Sequence, residues 1–227
     1  MRFFLALAPL LTLAAADPAQ EARSYMLTGF DRLRVEGPFE VEVVPGSPRA
    51  SATGDRRALD QLSIRVDAGT LVVNRGVSGA GRPPGIARIR IGASSLRGVT
   101  ITGGATVRIA ALRADQLDLA VNAASSLDVT SVQATDLHTT LTGESAMKLA
   151  GTATRLRVRN LGAGSFDSPM LIAGDADLVT DSGSIRVHVR YTARAAALGT
   201  GAIVISGQPR CTIKGPGPIT CAGTKPR

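Results

Sequence analysis

The chain has 227 residues, 44% of them apolar and 3% aromatic, with 25 Gly, 12 Pro, no Trp and a net charge of +8. That composition suits many short strands and tight turns rather than helices packed through bulky side chains, and the length allows one domain or two joined lobes. Scarce aromatics disfavour a nucleic-acid binder or an aromatic saccharide platform, and the arginines are scattered through the chain rather than gathered in one run.

Arg2, the apolar run from Phe3 to Ala16 and the small residues Ala14-Ala15-Ala16 predict a secretory signal peptide over residues 1–16, with the mature chain starting at Asp17. The run is shorter than the roughly 20 residues that span a bilayer, and no later segment is long and apolar enough. No Cys follows the cleavage site, which disfavours a lipid anchor. Residues 17–29 read as a loose polar leader.

Residues 30–95 read as a strand-rich N-terminal lobe. Leu33 and Val35, then Phe39, Val41 and Val43, alternate on either side of Glu36-Gly37-Pro38, and Pro45-Gly46-Ser47-Pro48 is a turn. Arg49 to Thr53 predicts a further strand, and Ala58 to Ser63 a single helical turn. Ile64/Val66 and Leu71/Val73 flank Asp67-Ala68-Gly69-Thr70 as a hairpin. Asn74 to Gly85 is Gly- and Pro-rich and reads as an exposed loop, after which Ile89 and Ile91 open another strand.

From residue 96 to 207 the chain repeats itself. The pairs Val107/Ile109, Leu127/Val129, Met147/Leu149, Phe166/Ser168, Ile185/Val187 and Ile203/Ile205 recur every 18 to 20 residues. A second column aligns Val99/Ile101, Leu117/Leu119, Leu137/Thr139, Leu156/Val158, Ala176/Leu178 and Ala195/Ala197. A turn of small residues separates the columns in each repeat, with Gly103, Gly143, Gly162 and Gly199 in one position. The period and phase predict an all-β parallel β-helix of about six coils of 18–20 residues.

The residues between the apolar ones then stack outward, where opposite charges on neighbouring coils are favourable. One column reads Arg108, Asp128, Lys148, Asp167, Arg186. Two more read Asp136, Arg155, Asp175, Arg194 and Asp118, His138, Arg157, Asp177. These ladders are assigned a structural role. Residues 208–227 read as a C-terminal cap in which Cys211 and Cys221, ten apart across a Gly-Pro turn, form a disulfide closing a hairpin, as export to an oxidising compartment favours. A redox pair or a metal site is the weaker reading.

The opening Phe30-Asp31-Arg32-Leu33-Arg34-Val35-Glu36-Gly37-Pro38-Phe39-Glu40-Val41, the Leu71-Val72-Val73 strand and the small-residue coils that follow resemble the auto-transporter adhesin head GIN domain family from about Phe30 to Gly207. The resemblance implies a right-handed β-helical protein of the bacterial envelope with no established catalytic residues. The middle coils depart from the family's Gly-Ser-Gly turns, reading Ala-Ala-Ser-Ser and Gly-Glu-Ser-Ala.

The expected function is that of a non-enzymatic exported protein of the periplasm or cell surface, a scaffold that binds or adheres to an envelope protein or glycan. No catalytic residue, cofactor or metal site is expected, and no nucleic-acid partner. A lyase or hydrolase acting on acidic polysaccharide through Asp175 and Asp177 is one rival. Assembly into a homo-oligomer through an uncovered coil end is the other.

Overall fold

The computed structural model describes residues 21–76 and 85–223. Residues 1–20, on which the expected signal peptide falls, residues 77–84 of the Gly- and Pro-rich loop and residues 224–227 lie outside them. The strands are β1 (Glu21–Met26), β2 (Arg32–Glu36), β3 (Glu40–Pro45), β4 (Arg49–Gly54), β5 (Leu62–Asp67), β6 (Thr70–Arg75), β7 (Arg88–Ala93), β8 (Gly98–Thr102) and β9 (Thr106–Ile109). They continue as β10 (Leu112–Asn122), β11 (Ser126–Thr142), β12 (Ala146–Asn160), β13 (Ser165–Thr180), β14 (Ser184–Ala197), β15 (Ala202–Gly207), β16 (Arg210–Lys214) and β17 (Ile219–Cys221). One helix, α1 (Arg56–Asp60), is capped by Asp55, whose side chain accepts from the Ala58 and Gly85 backbone amides at 2.7 and 3.0 Å. Those two hydrogen bonds hold the Asp55 carboxyl below its ordinary range.

All seventeen strands belong to one sheet wound on itself as a β-solenoid of about six turns. The first face stacks β6, β2, β8, the downstream parts of β10 to β14, and β16. The second stacks β7, β3, β9, the upstream parts of β11 to β14, β15 and β17. A third face, formed by the start of β10 and the middles of β11 to β13, begins only at Leu112.

The second-face column lies in the expected register, from Val107 opposite Leu127 to Ile185 opposite Ile203, and continues upstream through Val41 and Ile89. The first-face column is shifted by two residues at both ends. Val99 and Ile101 pair with Leu119 and Val121, not with Leu117 and Leu119; Ala195 and Ala197 pair with Leu178 and Thr180, not with Ala176 and Leu178. A two-residue slip keeps every side chain on its own side of the sheet, so alternation does not detect it.

The strand-rich N-terminal part joins the same stack as the repeats. β2 and β3 form a coil inserted between β6/β7 and β8/β9, with parallel partners on both sides. The residues read as a loose leader contain β1, which pairs antiparallel with β4, and β4 pairs antiparallel with β7. Alternation in Glu21–Met26 is too polar to signal a strand; its partner supplies the hydrogen bonds. β5 covers the other edge of this end as the antiparallel arm of a hairpin with β6, turning through Ala68 and Gly69, both at positive φ. The helical turn lies two residues earlier than expected, because Leu62 already belongs to β5.

Inside, Val, Ile and Leu columns make one continuous core. Three of the polar residues that turn inward find backbone partners. Ser168 accepts from Leu149 N at 3.0 Å, Asn160 Nδ2 donates to Gly164 O at 2.7 Å, and the Thr180 hydroxyl donates to Gly183 O at 2.9 Å. In the turn column Gly143 has φ +69, whereas Gly162 is required by approach: a Cβ there would lie 2.5 Å from Gly143 N.

Phe166 is the bulkiest fully buried side chain. Phe166→Ala is expected to lower unfolding free energy by about 3–5 kcal/mol in chemical denaturation. Exposed Met170 on the same strand, truncated to Ala, is expected to change it by less than about 0.5 kcal/mol. Equal costs at the two positions would contradict the inward assignment of this strand.

Candidate binding surface

The outward columns carry the charge. On the second face Arg90, Glu42, Arg108, Asp128 and Lys148 follow one another in register, and Asp167 lies opposite Arg186. Arg186 Nη1 meets Asp167 Oδ1 at 3.0 Å, and Arg90 meets Glu42 at 3.5 Å. Arg108, Asp128 and Lys148 stand in the ladder without being drawn into an ion pair among the described residues.

On the first face Asp136, Arg155 and Asp175 are consecutive partners, and Arg155 donates from Nε and Nη2 to both carboxylate oxygens of Asp136. This fork is the largest cause holding the Asp136 carboxyl below its ordinary range; it also raises Arg155. The next member of this column is Thr192, whose hydroxyl donates to Asp175, and not Arg194. Arg194 instead extends the neighbouring ladder, which runs Asp118, His138, Arg157, Asp177, Arg194. His138 Nδ1 lies 3.3 Å from Asp118, and Arg157 Nε lies 3.8 Å from Asp177.

The arrangement gives little for acid–base or metal chemistry. Asp175 and Asp177 face a hydroxyl and a guanidinium, and the described residues include no group of three or more His, Cys, Asp or Glu able to hold a metal ion. His188 Nδ1 lies 3.3 Å from the Ser206 hydroxyl, which also donates to Val187 O; among the described residues no carboxylate orients the ring.

Cys211 and Cys221 are bonded, but they do not close a hairpin. β16 pairs in parallel with β14 and β17 with β15, so the bridge joins two faces of the last coil. Parallel stacking places these strands on different walls, and Cys211 points inward with 1% exposure.

Sequence reading did not single out the third face. There, a concave groove of about 690 Å³ crosses several coils. Gln133, Thr135, Thr152 and Thr154 form an uncharged hydroxyl- and amide-bearing floor, with Arg113 and Asp115 at one end and Arg190 and Tyr191 at the other. Gly174 opens its wall: a Cβ there would come 2.6 Å from Thr154 O. The signal was present in the chain, since Gln133/Thr152 and Thr135/Thr154 recur at the coil period; the charge columns masked it.

A family model described as "Putative auto-transporter adhesin, head GIN domain" matches residues 29–209. Among solved structures the chain is similar to one described as a putative adhesin from Bacteroides fragilis NCTC 9343, at 20% identity and TM-score 0.83, covering 90% of this chain and 97% of that one. It is also similar to one described as a putative lipid binding protein from Parabacteroides distasonis ATCC 8503, at 19% identity and TM-score 0.66, covering 90% and 95%. A putative adhesin from Parabacteroides merdae ATCC 43184 matches at 17% identity and TM-score 0.64, covering 91% and 96%. At these identities the likeness concerns the fold. No curated protein matches the sequence.

Because the folded Asp136 carboxyl titrates below its unfolded value, its ion pair stabilises above the ordinary carboxylate range and that stabilisation is lost as pH falls through the folded value. The difference in Tm between the wild type and Asp136→Asn is therefore expected to be present at neutral pH and to close in acid. A difference that widens in acid would contradict the Arg155 fork.

Proposed function

We propose, from the premise that this chain belongs to the auto-transporter adhesin head GIN domain family, that it is a non-enzymatic exported protein binding a glycan or protein of the cell envelope through its third-face groove. The observation that carries the reading is the groove itself: an open, uncharged, hydrogen-bonding floor held on a continuous sheet. A sheet of this kind presents side chains at fixed spacing, so little ordering cost is left for binding. Periplasm or cell surface is the proposed location. The disulfide supports an oxidising compartment, and no helix among the described residues is long and apolar enough to cross a membrane. The ladders are proposed to be structural.

Co-sedimentation of the mature protein with separated envelope fractions tests the reading. Saturable retention by one fraction that survives high salt is expected, and Thr154→Trp, which fills the groove, should weaken it at least tenfold at unchanged Tm. Retention untouched by Thr154→Trp would move the site off the groove. Turnover of an acidic glycan, abolished by Asp175→Asn or Asp177→Asn in a folded protein, would replace binding with catalysis.

A further inference from the structure

Charge along the chain divides at Asp181. The first 181 residues hold 19 basic and 18 acidic residues, whereas the last 46 hold seven basic residues and no acidic one. In three dimensions residues 182–223 build the last coils of the stack, so their five cations gather at one pole with no acid among them. Arg186, Arg190 and Arg194 lie on β14, and Arg210 and Lys214 on β16; Lys225 and Arg227 follow in the sequence.

Two of these cations have acidic partners from earlier coils: Arg186 meets Asp167 at 3.0 Å, and Arg194 stands opposite Asp177. Arg190, Arg210 and Lys214 are exposed and enter none of the ion pairs of the described residues. With no acid beyond Asp181, their field is not cancelled by a next coil and points outward.

The same coils expose apolar side chains. Tyr191 is 64% exposed and Leu198 61%. Register places them with the cations. Arg210 pairs with Thr192, next to Tyr191 in the chain, and Lys214 pairs with Ala196, two residues before Leu198. The last two rows of the first face therefore carry, at each end, a cation on β16 and an exposed apolar group beside its β14 partner. Among the described residues no strand pairs outside β16 and β17.

A soluble polyanion would use only the cations. An anionic bilayer surface uses both components, since lipid phosphates attract Arg and Lys while Tyr and Leu enter the interfacial layer. We propose that this pole docks on an anionic phospholipid surface, with Arg190, Arg210 and Lys214 against the phosphates and Tyr191 and Leu198 at the headgroup boundary. Arg190 and Tyr191 also border one end of the groove, whereas Leu198, Arg210 and Lys214 do not line it, so Thr154→Trp on the groove floor and substitutions at Arg210 and Lys214 separate the two readings.

The test is sedimentation with vesicles of phosphatidylcholine alone and of phosphatidylcholine mixed with phosphatidylglycerol. Partitioning into the mixed vesicles is expected, weakened by salt, with little into the neutral ones. Each cation at an anionic leaflet contributes about fivefold, so Arg190→Ser/Arg210→Ser/Lys214→Ser should lower partitioning about a hundredfold. Tyr191→Ser/Leu198→Ser should lower it at high salt as well. Arg49→Ser/Arg57→Ser/Arg65→Ser removes as many charges from the opposite end and should leave most of the binding, as should Thr154→Trp. No preference for phosphatidylglycerol would overturn the proposal. Equal loss with the two triple variants would overturn it too, since net charge alone would then suffice. Tight binding to dextran sulfate without vesicle binding would assign the pole to an acidic polysaccharide instead, and self-association of the Arg190/Arg210/Lys214 variant without vesicle binding would make these cations guards of an edge strand.

Discussion

Everything in this protein depends on stacking coils in parallel at the strand spacing of about 4.8 Å with the inward columns kept inside. Burial of Val, Ile and Leu dominates stability, because exposed ion pairs of the ladder kind contribute only about 0.2–1 kcal/mol each. The charges also cannot fix register against a two-residue slip. Moving β14 by two residues would set Asp175 opposite Arg194 and remain attractive, although the observed partners are Thr192 for Asp175 and Arg194 for Asp177. Register is set at the turns. The second face follows each turn directly, and its pairs keep a regular step, as from Phe166 to Ile185. Length differences accumulate beyond it, at the irregular pairings between Val129 and Val132, Met147 and Gly151, and Ser168 and Ile172. By the first face the step from Leu178 to Ala195 is two residues shorter than the step from Phe166 to Ile185.

The same reasoning explains what could be read from the sequence. Solenoid class, the second-face column and the sign alternation are periodic, and periodicity survives in a linear chain. The first-face register required knowledge of where each coil absorbs its extra residues, which only backbone geometry gives. The insertion of β2 and β3 between β6/β7 and β8/β9 is not periodic at all. Leu33 and Val35 alternate like any strand, and nothing in them states that two later strands flank them. β1 was illegible for a related reason, since Arg23 and Tyr25 look like surface chemistry until β4 is placed alongside.

Of the surface, the columns of charge were legible and the groove was not, although both repeat with the coil. Asp and Arg announce themselves by sign, while Gln133, Thr152 and Thr154 differ little from ordinary strand residues. The absence of acid beyond Asp181 was written in the sequence as well. It becomes meaningful only when the chain is wound, because winding turns residues 182–223 into one end of the described stack.

That winding also divides the surface by electrostatic range. Alternating charges a strand spacing apart cancel within a Debye length of about 8 Å at physiological salt, so a ladder such as Glu42, Arg108, Asp128, Lys148 presents little net field at a distance. The ladder faces are thereby quiet toward other molecules while remaining fully polar. Two regions escape the cancellation: the groove, whose uncharged floor offers hydrogen bonds and shape, and the last coils, where the alternation runs out of acids. A repeat that neutralises its charges along its length leaves uncancelled chemistry only where its outward positions carry no charge or where the acids run out.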